Sequence, residues 1–298
     1  QFAAELYLGN ARLNEGLYRM LHGEDAASVY ASALEAFDRA LKLEPAEPLT
    51  HVRRGTVQLN WAWQQDQRGA SGDERRAGAI ADFTRALELD PGLAEAWIDR
   101  GMTLAAQALQ DAGRGRDAAT GYAAALADLD HAIGLAPAHA NAWLRRGEAR
   151  VNLGIHRHGR GDDPSGLFAQ AIEDFGKAIE LNPADATAWT YRGNGRKNLG
   201  SIRWARGVDP VPWFTGARAD YDEAVKIDPT AVDALAARAG LSEQWAIGAR
   251  NAGADPRPHL EAALRDLEAA VKQNPGRTDL RPWIARIRAA LAEERGPT

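Results

Sequence analysis

Residues 79–91 read AIADFTRALELDP, and residues 171–183 read AIEDFGKAIELNP. In the first phrase Ala79, Phe83, Ala86 and Leu87 stand at spacings of four, three and one; in the second Ala171, Phe175, Ala178 and Ile179 repeat them. Those intervals put the apolar side chains on one face of an α-helix. The proline that closes each phrase cannot continue one. Working outward, the closing proline recurs as Pro45, Pro91, Pro137, Pro183, Pro229 and Pro275, and every difference, from 91 − 45 to 275 − 229, is 46. A constant long period is the signature of a solenoid, in which each unit buries its apolar face against its neighbours. The chain is therefore expected to be one all-α superhelix of six helix-turn-helix repeats, over 1–45, 46–91, 92–137, 138–183, 184–229 and 230–275. A capping helix is expected over 276–298, with Trp283, Ile284, Ile287 and Leu291 on one face.

The quoted phrase is the second helix of each unit, helix B. The first, helix A, carries Trp97, Trp143 and Trp189 in register, then Gly9, Gly55, Gly101, Gly147 and Gly193, with Ala239 in the sixth unit. Glycine inside a helix costs about 1 kcal/mol relative to alanine, so its return at one place implies close approach of the paired helix's backbone. Between the helices, glycine recurs at 23, 69, 115, 161, 207 and 253, followed two residues on by Asp25, Ser71, Asp117, Asp163, Asp209 and Asp255. Glycine suits the left-handed position after helix A, and an Asp or Ser oxygen caps the amides that start helix B. Pro164, Pro210 and Pro256 would then open their helices, where a missing N–H does no harm. Helix A is expected from just after each closing proline to the glycine, and helix B from the cap to the next proline.

These columns resemble the tetratricopeptide repeat (TPR) family. Trp97, Gly101, Ala125, Leu129, Ala132 and Pro137 take the family's pattern positions, and Trp143, Gly147, Ala171, Phe175, Ala178 and Pro183 repeat them. The period departs from the family's usual 34, and the additional 12 residues are expected to lengthen both helices. The resemblance implies that the A helices line a groove in which partners lie. Carried over by position, the groove residues are Asn10, Asn14, Thr56, Asn60, Met102, Glu148, Asn152, Asn194 and Asn198, continued by Gln244 and bordered by Arg53, Arg145, Tyr7 and Tyr191. Amides are suited to bonding a partner's backbone, as both donors and acceptors. The lysine and asparagine set with which some family members clamp a terminal carboxylate is missing, the inner positions reading Val52, Ile98 and Leu144.

Arginine precedes the helix A glycine at 54, 100, 146, 192 and 238, and aspartate stands on helix B at 82, 128, 174, 220 and 266. The first unit lacks both, having Leu8 and Ala36. Charges that vanish together point to pairing within a repeat: Arg54 with Asp82, Arg100 with Asp128, Arg146 with Asp174, Arg192 with Asp220 and Arg238 with Asp266.

Function classes are narrowed by what the sequence lacks. The 298 residues carry 36 Lys and Arg against 41 Asp and Glu, a net charge of −5, so no broad positive field favours nucleic acid. No apolar run is long enough to insert in a membrane. Cysteine is absent, which removes thiolate chemistry without separating one compartment from another. No GxxxxGK[ST], HExxH, GxSxG or kinase motif occurs, so no catalytic residue and no cofactor are expected. Gly193-Asn194-Gly195 lies inside helix A, where it cannot cradle phosphate. His156 and His158, two apart on a helix, diverge, and sit by a negative helix end rather than on a metal. The Arg160-Gly161-Asp162 triplet and the turn aspartates are accounted for by turn and capping chemistry. Of nine tryptophans, Trp61 and Trp245 share a packing column, whereas Trp204 and Trp213 break theirs and are expected to be exposed.

The reading is a non-catalytic scaffold that binds a protein or peptide partner, part of a larger bacterial protein, since the chain begins at Gln1 and the first unit has no polar helix before it. The alternative is a structural subunit that self-associates through its N-terminal repeat, head to tail, into a filament.

Overall fold

The computed structural model describes residues 1–294, so the last four residues of the expected capping segment lie outside the described residues. Among the described residues there are α-helices and turns and no strand. The helices are α1 (Phe2–Leu21), α2 (Ala27–Leu43), α3 (Pro48–Gln67), α4 (Asp73–Leu89), α5 (Ala94–Gly113), α6 (Ala119–Leu135), α7 (Ala140–Gly159), α8 (Ser165–Leu181), α9 (Ala186–Ala205), α10 (Val211–Ile227), α11 (Val232–Asn251), α12 (Arg257–Gln273) and α13 (Leu280–Glu293). Odd-numbered helices up to α11 have 20 residues and even-numbered ones 17, roughly 30 and 26 Å at a rise of about 1.5 Å per residue. The chain divides inside α7 into two compact units, the first ending at His156 and the second starting at Arg157.

In the first unit α1 packs on α2, α3 on α4 and α5 on α6, and the pairs join in chain order through α2 with α3 and α4 with α5. In the second, α8 packs on α9, α9 on α10, α10 on α11, α11 on α12 and α12 on α13. No helix is long and apolar enough to cross a membrane among the described residues.

The helix ends differ slightly from the sequence reading, for local reasons. Each A helix from α3 onward starts three residues after its proline, because the intervening residues turn; Asp90, Asp228 and Asn274 hold the turn by accepting from the amides of Gly92, Thr230 and Gly276 at 2.8–3.0 Å. Each A helix ends two residues before its glycine. Gly23 at φ +75° lets its own N–H reach the Met20 carbonyl at 3.0 Å and that of Glu24 the Arg19 carbonyl at 2.9 Å, the Schellman closure that only a left-handed residue allows. All six turn glycines have positive φ. The caps sit one residue earlier than a standard N-cap. Asp25, Asp163, Asp209 and Asp255 accept from the first helical amide of the following helix at 2.9–3.0 Å. Pro164, Pro210 and Pro256 accordingly occupy the N-cap itself and not the first helical position.

At Gly9, Gly55 and Gly193 the helix A glycine makes room for a ring, whereas at Gly101 a Cβ would lie 3.1 Å from the Ala125 carbonyl oxygen, the backbone approach that the sequence suggested. A Cβ on Gly9 would lie 2.6 Å from the Phe37 ring, on Gly55 2.8 Å from Phe83, and on Gly193 2.5 Å from Tyr221. The paired helix thus presses an aromatic ring into the space that glycine leaves, and all three rings are fully buried. Trp204 and Trp213, expected to be exposed, are half-buried. The first meets Phe214 edge-on at 6.3 Å, and the second lies beneath Arg203. Helix α13 begins at Leu280, later than 276, and buries Leu280, Ile287 and Leu291.

Gly55→Ala is expected to destabilise the protein by about 1–3 kcal/mol, the cost of overpacking a filled core. Gly176→Ala, on α8 where a Cβ meets nothing within 4 Å, should stabilise it by about 0.5–1 kcal/mol. Urea denaturation of the two variants checks the opposite signs.

Candidate functional site

Helix A residues at matching positions fall into columns, and the columns set what each face can do. Arginine stands at the boundary between the buried and open faces. Arg54 donates to Asp82 from Nε at 3.0 Å and from Nη2 at 2.5 Å; Arg100 grips Asp128 at 2.7 and 2.8 Å. In the second unit Arg192 reaches Asp220 at 2.7 Å and Arg238 reaches Asp266 at 2.7 and 2.9 Å. Arg146 and Asp174 fall in different units. The carboxylates of Asp82, Asp128, Asp220 and Asp266 are buried, none more than 8% exposed, and removing one partner of such a pair costs about 3–5 kcal/mol.

These arginines do more than the sequence reading assigned. Arg54 also reaches back to Asp38 at 2.7 Å, Arg100 to Thr84 at 3.2 Å, Arg146 to Asp130 at 2.6 Å and Arg238 to Asp222 at 2.8 Å. Each therefore ties its helix to the preceding helix B; Arg54, Arg100 and Arg238 also hold their own. Asp38, Asp130 and Asp222, in alternate repeats 92 residues apart with Thr84 and Gly176 between, were visible in the sequence. Arg100, Arg146 and Arg192 lie 4.7 Å over the rings of Trp97, Trp143 and Trp189, whose indole N–H groups donate to the carbonyls of Pro91, Pro137 and Pro183. In the first repeat, which lacks the pair, Arg39 bonds Glu5 at 2.9 Å instead.

The open face of helix A carries the amides. In the first unit Asn14 is exposed, and Asn10, Thr56, Asn60, Met102, Glu148 and Asn152 are half-buried. Thr56 donates to the Val52 carbonyl, and Glu148 accepts from Arg145 at 3.0 Å. The side-chain amides of Asn10, Asn14, Asn60 and Asn152 make no hydrogen bond among the described residues. In the second unit Tyr191, Asn194 and Asn198 are half-buried on α9. Asn194 accepts from the Tyr221 hydroxyl at 2.8 Å, so it serves the core as well as the surface. Tyr191 meets Phe175 edge-on at 5.8 Å, and Gln244 shares a long bond with Ser201. Val52 and Ile98 are buried and contribute nothing to an open face.

Two features went unread in the sequence. Three residues after the amide column come Leu17, Trp63, Leu109 and Ile155, each 46 apart and 37%, 49%, 48% and 54% exposed. Spaced by three from the amides, they share the same helix face and form a regular apolar column in the first unit. Asp99 occupies the Arg53 and Arg145 column. Burial, reinforced by the Glu95 carboxylate, pushes its carboxyl up to about 7, while Arg145 and Arg53 pull the other way.

Three solved structures share this succession of helices. TTC0263, a thermophilic TPR protein of Thermus thermophilus, is 21% identical with a TM-score of 0.54, covering 78% of this chain and 98% of that one. The pilF protein of Pseudomonas aeruginosa is 15% identical at 0.56, covering 95% and 99%. A chain of the Cut9-Hcn1 hetero-tetramer of APC/C is 14% identical at 0.55, covering 96% and 46%. The chain has the tetratricopeptide-repeat fold. No protein-family model matches the sequence, and no curated protein matches it.

Within the TPR fold, the amide, apolar and charged columns of the first unit all lie on A helices, while the B helices supply the buried rings and carboxylates. Metal-binding side chains do not converge: no group of three His, Cys, Asp or Glu is placed to hold an ion among the described residues. His156 instead packs 6.3 Å from the Tyr122 ring and 3.6 Å from Asp117.

Asp99 makes stability depend on pH. The folded protein holds its proton up to about 7, whereas an unfolded aspartate releases it near 3.9; between those values the folded state binds more protons, so the group's contribution falls as pH rises. Asp99→Asn is therefore expected to be more stable than the parent at pH 8, by more than about 1 kcal/mol, with the advantage shrinking toward pH 4. Denaturant midpoints at the two pH values measure it.

Proposed function

We propose that this protein is a non-catalytic interaction scaffold that binds an extended segment of a protein partner along the A helices of its first unit. The observation that carries the reading is the pairing of two columns at one spacing: unbonded amides at Asn14, Asn60 and Asn152 beside exposed apolar side chains at Leu17, Trp63, Leu109 and Ile155. An extended chain presents backbone N–H and C=O groups together with alternating side chains. Amides can bond the first, and the apolar column can cover the second without a charged group of its own. Arg53 and Arg145 place positive charges on either side of the protonated Asp99 carboxyl and would favour acidic groups on the partner. One solved neighbour is itself a chain of a hetero-tetramer, in keeping with a role in assembly. Membership in a larger bacterial protein stays part of the proposal.

Panning a random peptide library against the intact chain tests the idea. Selected peptides should shift Trp63 emission, and Trp63→Ala and Leu109→Ala should each weaken them at least tenfold with unchanged melting. Peptides that ignore both substitutions sink it.

A second reading, self-association through the first repeat, is favoured by the exposure of Tyr7 (77%), Tyr18 (60%) and Leu21 (68%) on α1. Its expected mark is light scattering whose apparent mass rises with protein concentration and stays flat in Leu21→Glu. A mass independent of concentration removes it.

A further inference from the structure

The second unit contains a cleft of about 700 Å³ between α9, α10, α11 and α12. Trp204, Phe214, Trp245 and His259 wall it. Trp204 and Phe214 stand edge-on at 89°, and Trp245 and His259 at 80° with centroids 5.5 Å apart. No carboxylate, ammonium or guanidinium group lines it.

The repeat explains why the cleft is open. Gly248 forms part of the lining, and the matching positions of the earlier repeats are Tyr18, Gln64, Gln110, His156 and Ile202. At Gln64, His156 and Ile202 the side chain fills the corresponding place, whereas Tyr18 is 60% exposed. Gln64, 4% exposed, donates to the Glu24 carbonyl at 2.9 Å and accepts from the Ala26 amide at 3.3 Å. The His156 ring lies 6.3 Å from Tyr122, and Ile202 is 7% exposed. On the fifth repeat, which precedes Gly248 as the first repeat precedes Gln64, the residue matching Ala26 is Pro210, which has no amide hydrogen to satisfy. The reason for a glutamine is gone, and glycine stands in its place. A Cβ built on Gly248 meets nothing within 4 Å.

We propose that this cleft receives a planar aromatic side chain, indole or phenol in type, from a partner polypeptide. Its size falls in the roughly 300–1,000 Å³ range of ligand sites. An ionic group would be desolvated there without a counter-charge. Ring walls favour a flat apolar guest that can stack or meet them edge-on, and Asn251 and Gln244 offer it a hydrogen bond. The source is a polypeptide because the corresponding place elsewhere in this chain takes a side chain delivered from a backbone. The proposal does not rest on the scaffold reading, which concerns the first unit.

The test is a titration of the protein, labelled with ¹⁵N at its tryptophan indoles, with an acetylated, amidated pentapeptide of alanines around a central tryptophan, and separately with free indole. The expected result is saturable shifts of the Trp204 and Trp245 signals by the peptide, with a Kd of about 1 mM or tighter, and Trp63 unmoved. Gly248→Gln restores the side chain found at Gln64 and should weaken the peptide at least tenfold while melting no lower than the parent. Equal affinity in Gly248→Gln, binding of free indole alone, or no saturable shift with either probe overturns the proposal. Selected library peptides failing at Trp63 would leave this result unaffected, so the two readings fail separately.

Discussion

Arginine clamping a buried carboxylate is the interaction on which the helix pairs depend. Asp82, Asp128, Asp220 and Asp266 point from helix B into an apolar interior, where a lone carboxylate would be severely destabilising. The fork of Arg54, Arg100, Arg192 or Arg238 neutralises each one. Its geometry permits two directed bonds to one partner and still leaves a nitrogen for a second. That remaining nitrogen of Arg54 and Arg238 reaches Asp38 and Asp222 on the preceding helix B. One side chain therefore fixes the distance within a pair and the register between pairs, a specificity that apolar packing by itself leaves loose.

The apolar half of the same design is a glycine facing a ring. Phe37, Phe83 and Tyr221 each fill the space at the missing Cβ of Gly9, Gly55 and Gly193. Any side chain at the glycine would push the pair apart and lengthen the arginine bonds beside it. The first repeat keeps the ring and glycine but has no arginine pair, and it substitutes a surface bond between Arg39 and Glu5.

Function follows from what this construction leaves over. Because burial and pairing use the B helices and one edge of each A helix, the remaining A face is free to carry unbonded amides and exposed Leu17, Trp63, Leu109 and Ile155. The same economy produces the cleft of the second unit, where proline at 210 removes the amide that Gln64 serves elsewhere and Gly248 leaves the space open. Both surfaces are changes made on a repeat whose interior stays constant.

Helical class and the pairing of Arg54, Arg100, Arg192 and Arg238 with Asp82, Asp128, Asp220 and Asp266 were legible in the sequence itself, since they depend on periodicity and on residues that disappear together in one repeat. The exposed apolar column obeyed the same period, and Asp38, Asp130 and Asp222 recur at twice it, so both could have been found; the first was hidden because leucine and tryptophan in a helix read by default as core. Which tryptophans are covered was decided only by tertiary structure: Trp204 and Trp213 break their columns yet are half-buried, while Trp63 is exposed. The glycine contact, too, is with a ring at Gly9, Gly55 and Gly193 and with backbone as well as Leu129 at Gly101, and the protonation of Asp99 is set first by burial and then by Glu95, Arg145 and Arg53 gathered from three helices. Spacing along one chain fixes the face a side chain occupies, but burial and electrostatic environment are properties of what the neighbouring helices bring to that face.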